Sequence, residues 1–356
     1  MKINFKKNIA LIVLILIILI AYKQESKDTD FKIKNNLNTR VAIIFNEAGL
    51  GDKAFNDLCY DGVLKAQEDL GVEFDYSQSK NKYDYEKLAR RYSQLNKYDL
   101  IISVGGEQES AVKKVSKEFP NQKFTIIDSK INLPNVSSIN TKWEQQAFLN
   151  GVIAGLELAY SKDSSVGVIL GKNLDYLNEG AIGFEAGVKY INPNINVMKA
   201  IIGDFSDPSK AKEIALSMYN KGAMYIQQLA GQSGIGVFLA AKEVNKYAFG
   251  VDSNQNSFAP NNIVSTATRK VNDIIFNEIA AIKYNNWHCG IHTIGLDEYI
   301  IDYTTEGSTV KLREYTIKNV NLIKYNIINK KLDLPKNSEE LNLWIKSNRY
   351  KLNTQI

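Results

Sequence analysis

The chain has 356 residues, 44% of them hydrophobic and 23% charged, which supports a packed core and excludes global disorder. Lys and Arg number 44 against 39 Asp and Glu, a formal net charge of +5, too mild and too spread to point to a nucleic-acid surface. Two cysteines, Cys59 and Cys289, exclude a disulfide scaffold, and two histidines, His288 and His292, exclude a multi-His metal centre.

Lys2, Lys6 and Lys7 precede an apolar run from Ile9 to Tyr22, followed by the polar stretch KQESKDTD. A basic start, a short apolar run and a polar exit predict an export signal or anchor over residues 1–22. The run ends Leu19-Ile20-Ala21-Tyr22. A lipoprotein signal has cysteine in that last place, and Tyr22 has no thiol to carry a thioether lipid. Cleavage after Ala21, retention as an anchor and a variant that lost its anchor all stay open. Residues 23–39, rich in Lys, Asp, Asn and Ser, read as a tether.

From Arg40 the pattern alternates. Strands are predicted at VAIIFNE (41–47), VEFDYSQS (72–79), DLIISVG (99–105), KFTIIDS (123–129) and VSSINT (136–141). Helices fall between them at Phe55–Leu70, Tyr83–Leu95 and Glu107–Glu118. A second series follows: helix Glu144–Tyr160, strand 166–170, helix Glu179–Asn192, strand 196–202, helix Pro208–Lys221, strand 223–229, helix Gly236–Asn245, strands 247–252 and 263–269, and helix Val271–Tyr284. Helices at Val320–Asn329 and within 334–346 close the chain. Short continuous apolar runs separated by amphipathic helices predict an α/β fold of two Rossmann-like lobes with parallel sheets and a hinge between them. The expected division is 40–142 plus about 268–290 for lobe 1, 143–267 plus about 291–315 for lobe 2, and 316–356 as a C-terminal helical segment.

In such sheets a ligand sits at the carboxyl ends of the strands. GDKAFND (51–57) follows the first strand and supplies Asp52, Lys53, Phe55 and Asn56. Asn56 offers a donor and an acceptor, and Phe55 a flat apolar face; helix capping and a core phenylalanine are the plain alternative. Asp128 and Asp252 each end an apolar strand, where a carboxylate is costly unless paired. One per lobe, they could face each other across a cleft; each could equally cap its own turn. AGQSGIGVF (230–238) opens a helix, but Gly231, Gly234 and Gly236 miss the dinucleotide spacing and no Walker Lys-Ser/Thr pair follows. Its glycines suggest close approach of backbone to a ligand, or a tight turn. Lys270, after the last long strand, could balance Asp252 or stay solvated. His288 and His292 are four apart without further ligands, as in a surface turn. No catalytic triad, acid/base pair or metal set can be assembled, which favours a binding protein without cofactor or metal.

GDKAFND (51–57), KFTIID (123–128) with Pro134-Asn135-Val136, EQQAFLNGVIAG (144–155), GFEAGVKYINP (183–193), AGQSGIGVFLAAKE (230–243) and FGVDSNQNSFAPNNIVSTATRKV (249–271) together resemble the basic membrane protein family. These are ABC-transporter substrate-binding proteins that include purine nucleoside receptor lipoproteins of spirochaetes. The resemblance runs from about Val41 to Pro335. It implies a hinged type I periplasmic binding protein that holds a purine nucleoside, or a related small polar molecule, between aromatic rings and carboxylates. It further implies an ABC permease as partner, a cell-membrane-associated or periplasmic location, and a monomer. Phe55, Asn56, Asp128, Asp252, Lys270 and Gly231 fall on the family's binding positions, with Asp52, Lys53, Gln228 and Glu107 beside them. The chain departs from the family at Tyr22, at Gly105-Gly106-Glu107-Gln108-Glu109-Ser110-Ala111, at Gln227-Gln228 and at Asn254-Gln255. The alternative expectation is a surface-exposed adhesion or immune-facing protein that kept the fold and lost transport.

Overall fold

The computed structural model describes residues 39–159 and 165–351. The expected signal and most of the tether therefore lie outside the described residues. Two six-stranded sheets carry the architecture.

The first sheet contains β1 (Arg40–Phe45), β2 (Glu73–Gln78), β3 (Leu100–Ser103), β4 (Phe124–Ile127), β5 (Val136–Thr141) and β11 (Gly290–Ile294), in the order β11-β5-β4-β3-β1-β2. Every pairing in it is parallel. β1 shows why its sequence is continuously apolar. Val41, Ile43 and Phe45 enter the core on one face, and Ala42 and Ile44 enter a separate core on the other. The first core is closed by α1 (Phe55–Leu70) and α8 (Val271–Lys283), through Cys59, Val63, Ile275 and Ile279. The second is closed by α2 (Lys82–Gln94) and α3 (Glu109–Glu118), through Ala89, Tyr92, Val112 and Val115.

The second sheet contains β6 (Ser165–Leu170), β7 (Asn196–Ile201), β8 (Ala223–Leu229), β9 (Tyr247–Asp252), β10 (Ile263–Arg269) and β12 (Ile301–Thr304), in the order β12-β10-β9-β8-β6-β7. Only β12 runs antiparallel to its neighbour. α6 (Pro208–Asn220) and α7 (Gly234–Glu243) cover one face. α4 (Trp143–Glu157), α5 (Asp175–Ile191) and α9 (Glu314–Ile328) cover the other. α4 and α5 lie so close that a Cβ on Gly151 would come within 2.1 Å of the Phe184 carbonyl oxygen, and one on Gly187 within 2.2 Å of the Phe148 carbonyl oxygen. Only glycine allows that approach. α10 (Ser338–Ser347) returns to the same lobe, where Trp344 packs against Phe148 and Tyr190.

The chain passes between lobes at 141–143, at 269–271 and at 294–301. The last two differ from the expected boundaries. β10 stays in the second sheet through Arg269, and β11, where no strand was expected, pairs along its whole length with β5 and carries lobe 1 past the expected boundary of about 290. His292 therefore lies on a strand, not in a surface turn, and its ring nitrogen meets the His288 carbonyl at 3.2 Å. β11 is a sheet edge whose residues alternate between exposed and half-buried, so it lacks the apolar run that marks the interior strands. α9 also starts earlier than Val320, because Tyr315 and Thr316 face the lobe 2 core or its edge within an otherwise polar first turn.

Candidate functional site

In each sheet the chain order reverses between the first strand and its neighbour, β1/β3 in one lobe and β6/β8 in the other. Ligands of doubly wound sheets bind outside such switch points. Here the two face one small hollow, with about 40 Å³ of free volume. Lobe 1 lines it with Asn46, Ala48, Asp52, Phe55 and Asp128, and lobe 2 with Tyr176, Leu177, Phe205, Leu229, Ala230, Gly231, Val251 and Asp252; Trp143 and Arg269 come from the crossing segments.

Asp128 and Asp252 occupy equivalent places. Each directly follows or ends a central strand, β4 or β9, and each has a left-handed backbone, φ 61° and 65°. Asp is among the few side-chain-bearing residues that enter this region readily. Both carboxylates are buried, and Arg269, 1% exposed, lies between them. Arg269 Nη1 donates to Asp128 Oδ1 at 2.7 Å and Oδ2 at 2.9 Å, and Nε donates to Asp252 Oδ1 at 3.0 Å. Thr141 Oγ1 (2.6 Å) and the Trp143 indole N–H (2.8 Å) also donate to Asp128 Oδ1. Gln146 Nε2 donates to Asp252 Oδ1 at 3.1 Å. The guanidinium carbon stands 4.3 Å from the centre of the Trp143 ring and 4.9 Å from that of Phe55, within cation–π range. Desolvation works against the guanidinium charge, but the two carboxylates hold Arg269 fully protonated. Two buried carboxylates against one cation leave the floor with one negative charge in excess, which favours a ligand rich in N–H and O–H donors.

The first loop is built around Asp52. Its carboxylate accepts from the backbone N–H groups of Ala54 (2.9 Å), Asn56 (2.8 Å) and Asp57 (3.2 Å), capping α1 and fixing Phe55 as its first residue. Burial raises the Asp52 acid to about 6, against these hydrogen bonds. Asn56 is fully buried and donates to Asn46 Oδ1 (2.8 Å) and Asp52 Oδ2 (3.0 Å). It aligns the loop from behind and does not line the hollow. Phe55 lines the hollow, half-buried. Gly231, φ 54°, sits against Phe205 in a short turn ahead of α7.

Besides Asn56 and Glu107, three expected residues do not line the hollow. Lys270 is exposed one residue beyond β10, with its backbone N–H bound to Ile300; the cation at the site is its neighbour Arg269. Lys53 is also exposed and contributes its carbonyl, which accepts from Ser253 Oγ (2.6 Å) across the lobes. Gln228 is buried inside lobe 2, where it donates to Gln255 Oε1 (2.8 Å) and accepts from the Ala230 N–H (3.0 Å). Glu107 lies beside the hollow in the interlobe contact, where Tyr176 donates to its Oε2 at 3.2 Å. Asn46, Trp143, Tyr176, Phe205 and Arg269 were not expected at the site. Asn46, Trp143 and Arg269 stand at or within two residues of strand termini, the one signal that could have found them; Tyr176 and Phe205 lie further on, in the first turn of α5 and in the loop after β7. Among the described residues no group of three or more His, Cys, Asp or Glu could hold a metal ion.

Comparison with known proteins gives this geometry its family. The family of PnrA-like ABC transporter substrate-binding proteins matches residues 39–338. The chain belongs to that family. It is 31% identical over 277 residues, 74% of this chain and 68% of the relative, to an uncharacterised lipoprotein of Pyrococcus abyssi. It is 30% identical over 307 residues, 83% of this chain and 91% of the relative, to basic membrane protein A of Borreliella afzelii. Among solved structures, an ABC transporter solute-binding protein from Aeropyrum pernix K1 superposes with a TM-score of 0.78 over 87% of this chain and 98% of its own, at 22% identity. The two-lobed α/β fold expected from the alternation is therefore the fold of solute-binding proteins, and the family is one of binding proteins rather than enzymes. Such a protein carries a small-molecule ligand to an ABC permease.

Proposed function

We propose that the protein binds a purine nucleoside in the interlobe hollow and delivers it from outside the cytoplasm to an ABC permease. The observation that carries the reading is the convergence of aromatic faces and strand-ending carboxylates from both lobes on one space. Phe55 approaches from lobe 1, and Phe205 and Tyr176 from lobe 2. A planar base between such rings loses both faces to water, which favours binding by a few kcal/mol of apolar and stacking energy. The polar groups supply orientation. Asp252 accepts hydrogen bonds on Oδ1 and its carboxylate borders the hollow, while Asn46 Oδ1 is occupied by Ala48 N–H and Asn56, leaving its amide N–H groups for a ligand acceptor. In this reading Asp128, saturated by Arg269, Thr141 and Trp143, anchors the cation, and Asn56 and Lys53 shape the first loop. Among the described residues no helix is long and apolar enough to cross a membrane.

Thermal unfolding with guanosine, inosine and adenosine tests this reading. A ligand of the closed form raises the unfolding temperature by mass action, by an amount corresponding to about 2.7 kcal/mol at a hundredfold excess over Kd. A rise with purine nucleosides and none with ribose supports it; no rise with any nucleoside at millimolar concentration rejects this ligand class.

A further inference from the structure

Glu107 occupies an unusual place. It belongs to the short turn Gly106–Gln108 that follows β3, and its carboxylate folds back over Gly105, which takes a positive φ of 107°. Tyr176, in the first turn of α5, covers it from the opposite lobe and donates to Oε2. The other oxygen, Oε1, is shut from solvent and has no hydrogen-bond partner. A bare carboxylate oxygen in a contact that exists only while the lobes are together opposes closure when charged.

We propose that Glu107 and Tyr176 form a proton-linked latch, so that the lobes close more firmly when Glu107 carries a proton. Of the groups around it, its own backbone N–H, Tyr176 and Lys172 favour the charged form, while burial and Asp128 oppose it. Asp128, at the end of β4, adds a repelling negative charge. Lys172, between β6 and α5, attracts, but it is engaged by Glu47 at 2.7 Å, and Glu47 also accepts from the Tyr85 hydroxyl of α2 at 3.3 Å. Glu109, at the start of α3, is satisfied by Lys113 and Ser129. Burial therefore dominates and lifts the Glu107 acid to about 7. Opening removes the Tyr176 cover and returns the acid toward its ordinary value of 4.5. The closed state then holds the proton more tightly, so closure strengthens as pH falls through 7, and is ~10-fold more favourable at pH 6 than at pH 8. This goes beyond the nucleoside reading and does not need the ligand's identity.

Spin labels at Ser110→Cys and Asn173→Cys, exposed on opposite lobes, report closure in the full chain without ligand once the exposed Cys289 is changed to Ser. The expected result is a short interlabel distance whose closed-to-open ratio rises ~10-fold from pH 8 to pH 6, the rise setting in near pH 7. Glu107→Gln, neutral at every pH and still able to accept from Tyr176, removes the step and stays closed at pH 8. Tyr176→Phe removes a bond that favours the charged acid, and so moves the onset of the rise to higher pH. An unchanged step in Glu107→Gln, or no step in the wild type, overturns the proposal. Because the distance is read without ligand, a failure of nucleosides to stabilise the protein leaves this result to stand or fall separately.

Discussion

Replacing Arg269 by methionine removes the cation that pairs both strand-ending carboxylates while keeping much of the side-chain volume. Asp128 then retains its bonds from Thr141 and Trp143, and Asp252 retains Gln146 alone. Breaking one partner out of a buried ion pair costs ~3–5 kcal/mol, because the remaining charge stays desolvated. For a chain of this size that corresponds to a fall in Tm of about 4–7 °C, measured by calorimetry at pH 7. Asp128→Asn and Asp252→Asn together with Arg269→Met should recover most of the loss at pH 7. A single Arg269→Met variant that melts within about 2 °C of the wild type would refute the pairing as the structural centre of the cleft.

Lys270→Ala, one residue further on, should leave both ligand affinity and Tm unchanged within about 0.5 kcal/mol, since its side chain is exposed; a tenfold loss of affinity in calorimetry would return it to the site. Asp52→Asn tests the buried acid at the first loop. Because burial raises this acid in the folded protein to about 6, the wild type gains stability as pH drops from above 6 toward 3.8. Denaturant titrations across that window should show the gain flattened in the variant, and an identical pH slope would disprove the assignment. Gln228→Ala strands the Ala230 N–H and removes one of the two bonds that Gln255 Oε1 accepts, leaving the one from the Val251 N–H. A loss of ~2 kcal/mol in denaturant unfolding is expected, and a neutral result would show that the polar cluster does not brace the strand ends.

Much of the architecture is legible in the letters. β1, β3, β6 and β9 are buried on both faces, and only continuous apolar runs satisfy that. The same property hides parity. On β10 six of seven residues are buried on either face, so the pattern cannot say whether Arg269 or Lys270 faces the cleft; the structure settles it because the strand ends at Arg269. Asp128 and Asp252 were visible because a carboxylate after an apolar strand needs a partner, and the partner turned out to be one shared arginine rather than a ligand alone. Phe205 and Tyr176 left no trace because they lie in irregular or first-turn positions, where neither periodicity nor strand ends mark a residue. Gln227 and Gln228 looked like added cleft polarity, but a buried strand can hide amides when backbone carbonyls and neighbouring side chains satisfy them. Gln227 does so with Asn150, the Gln228 carbonyl and the Gly250 carbonyl. β11 and β12 escaped because short edge strands need no apolar run.

The most direct measurement is a calorimetric titration of the protein with guanosine, in parallel with the Phe55→Ala variant. Saturable one-to-one binding with a negative heat-capacity change, weakened at least about tenfold in the variant, is the expected outcome. Heats of dilution alone for guanosine, inosine and adenosine, or full affinity retained without the Phe55 ring, would contradict the interlobe hollow as a nucleoside site.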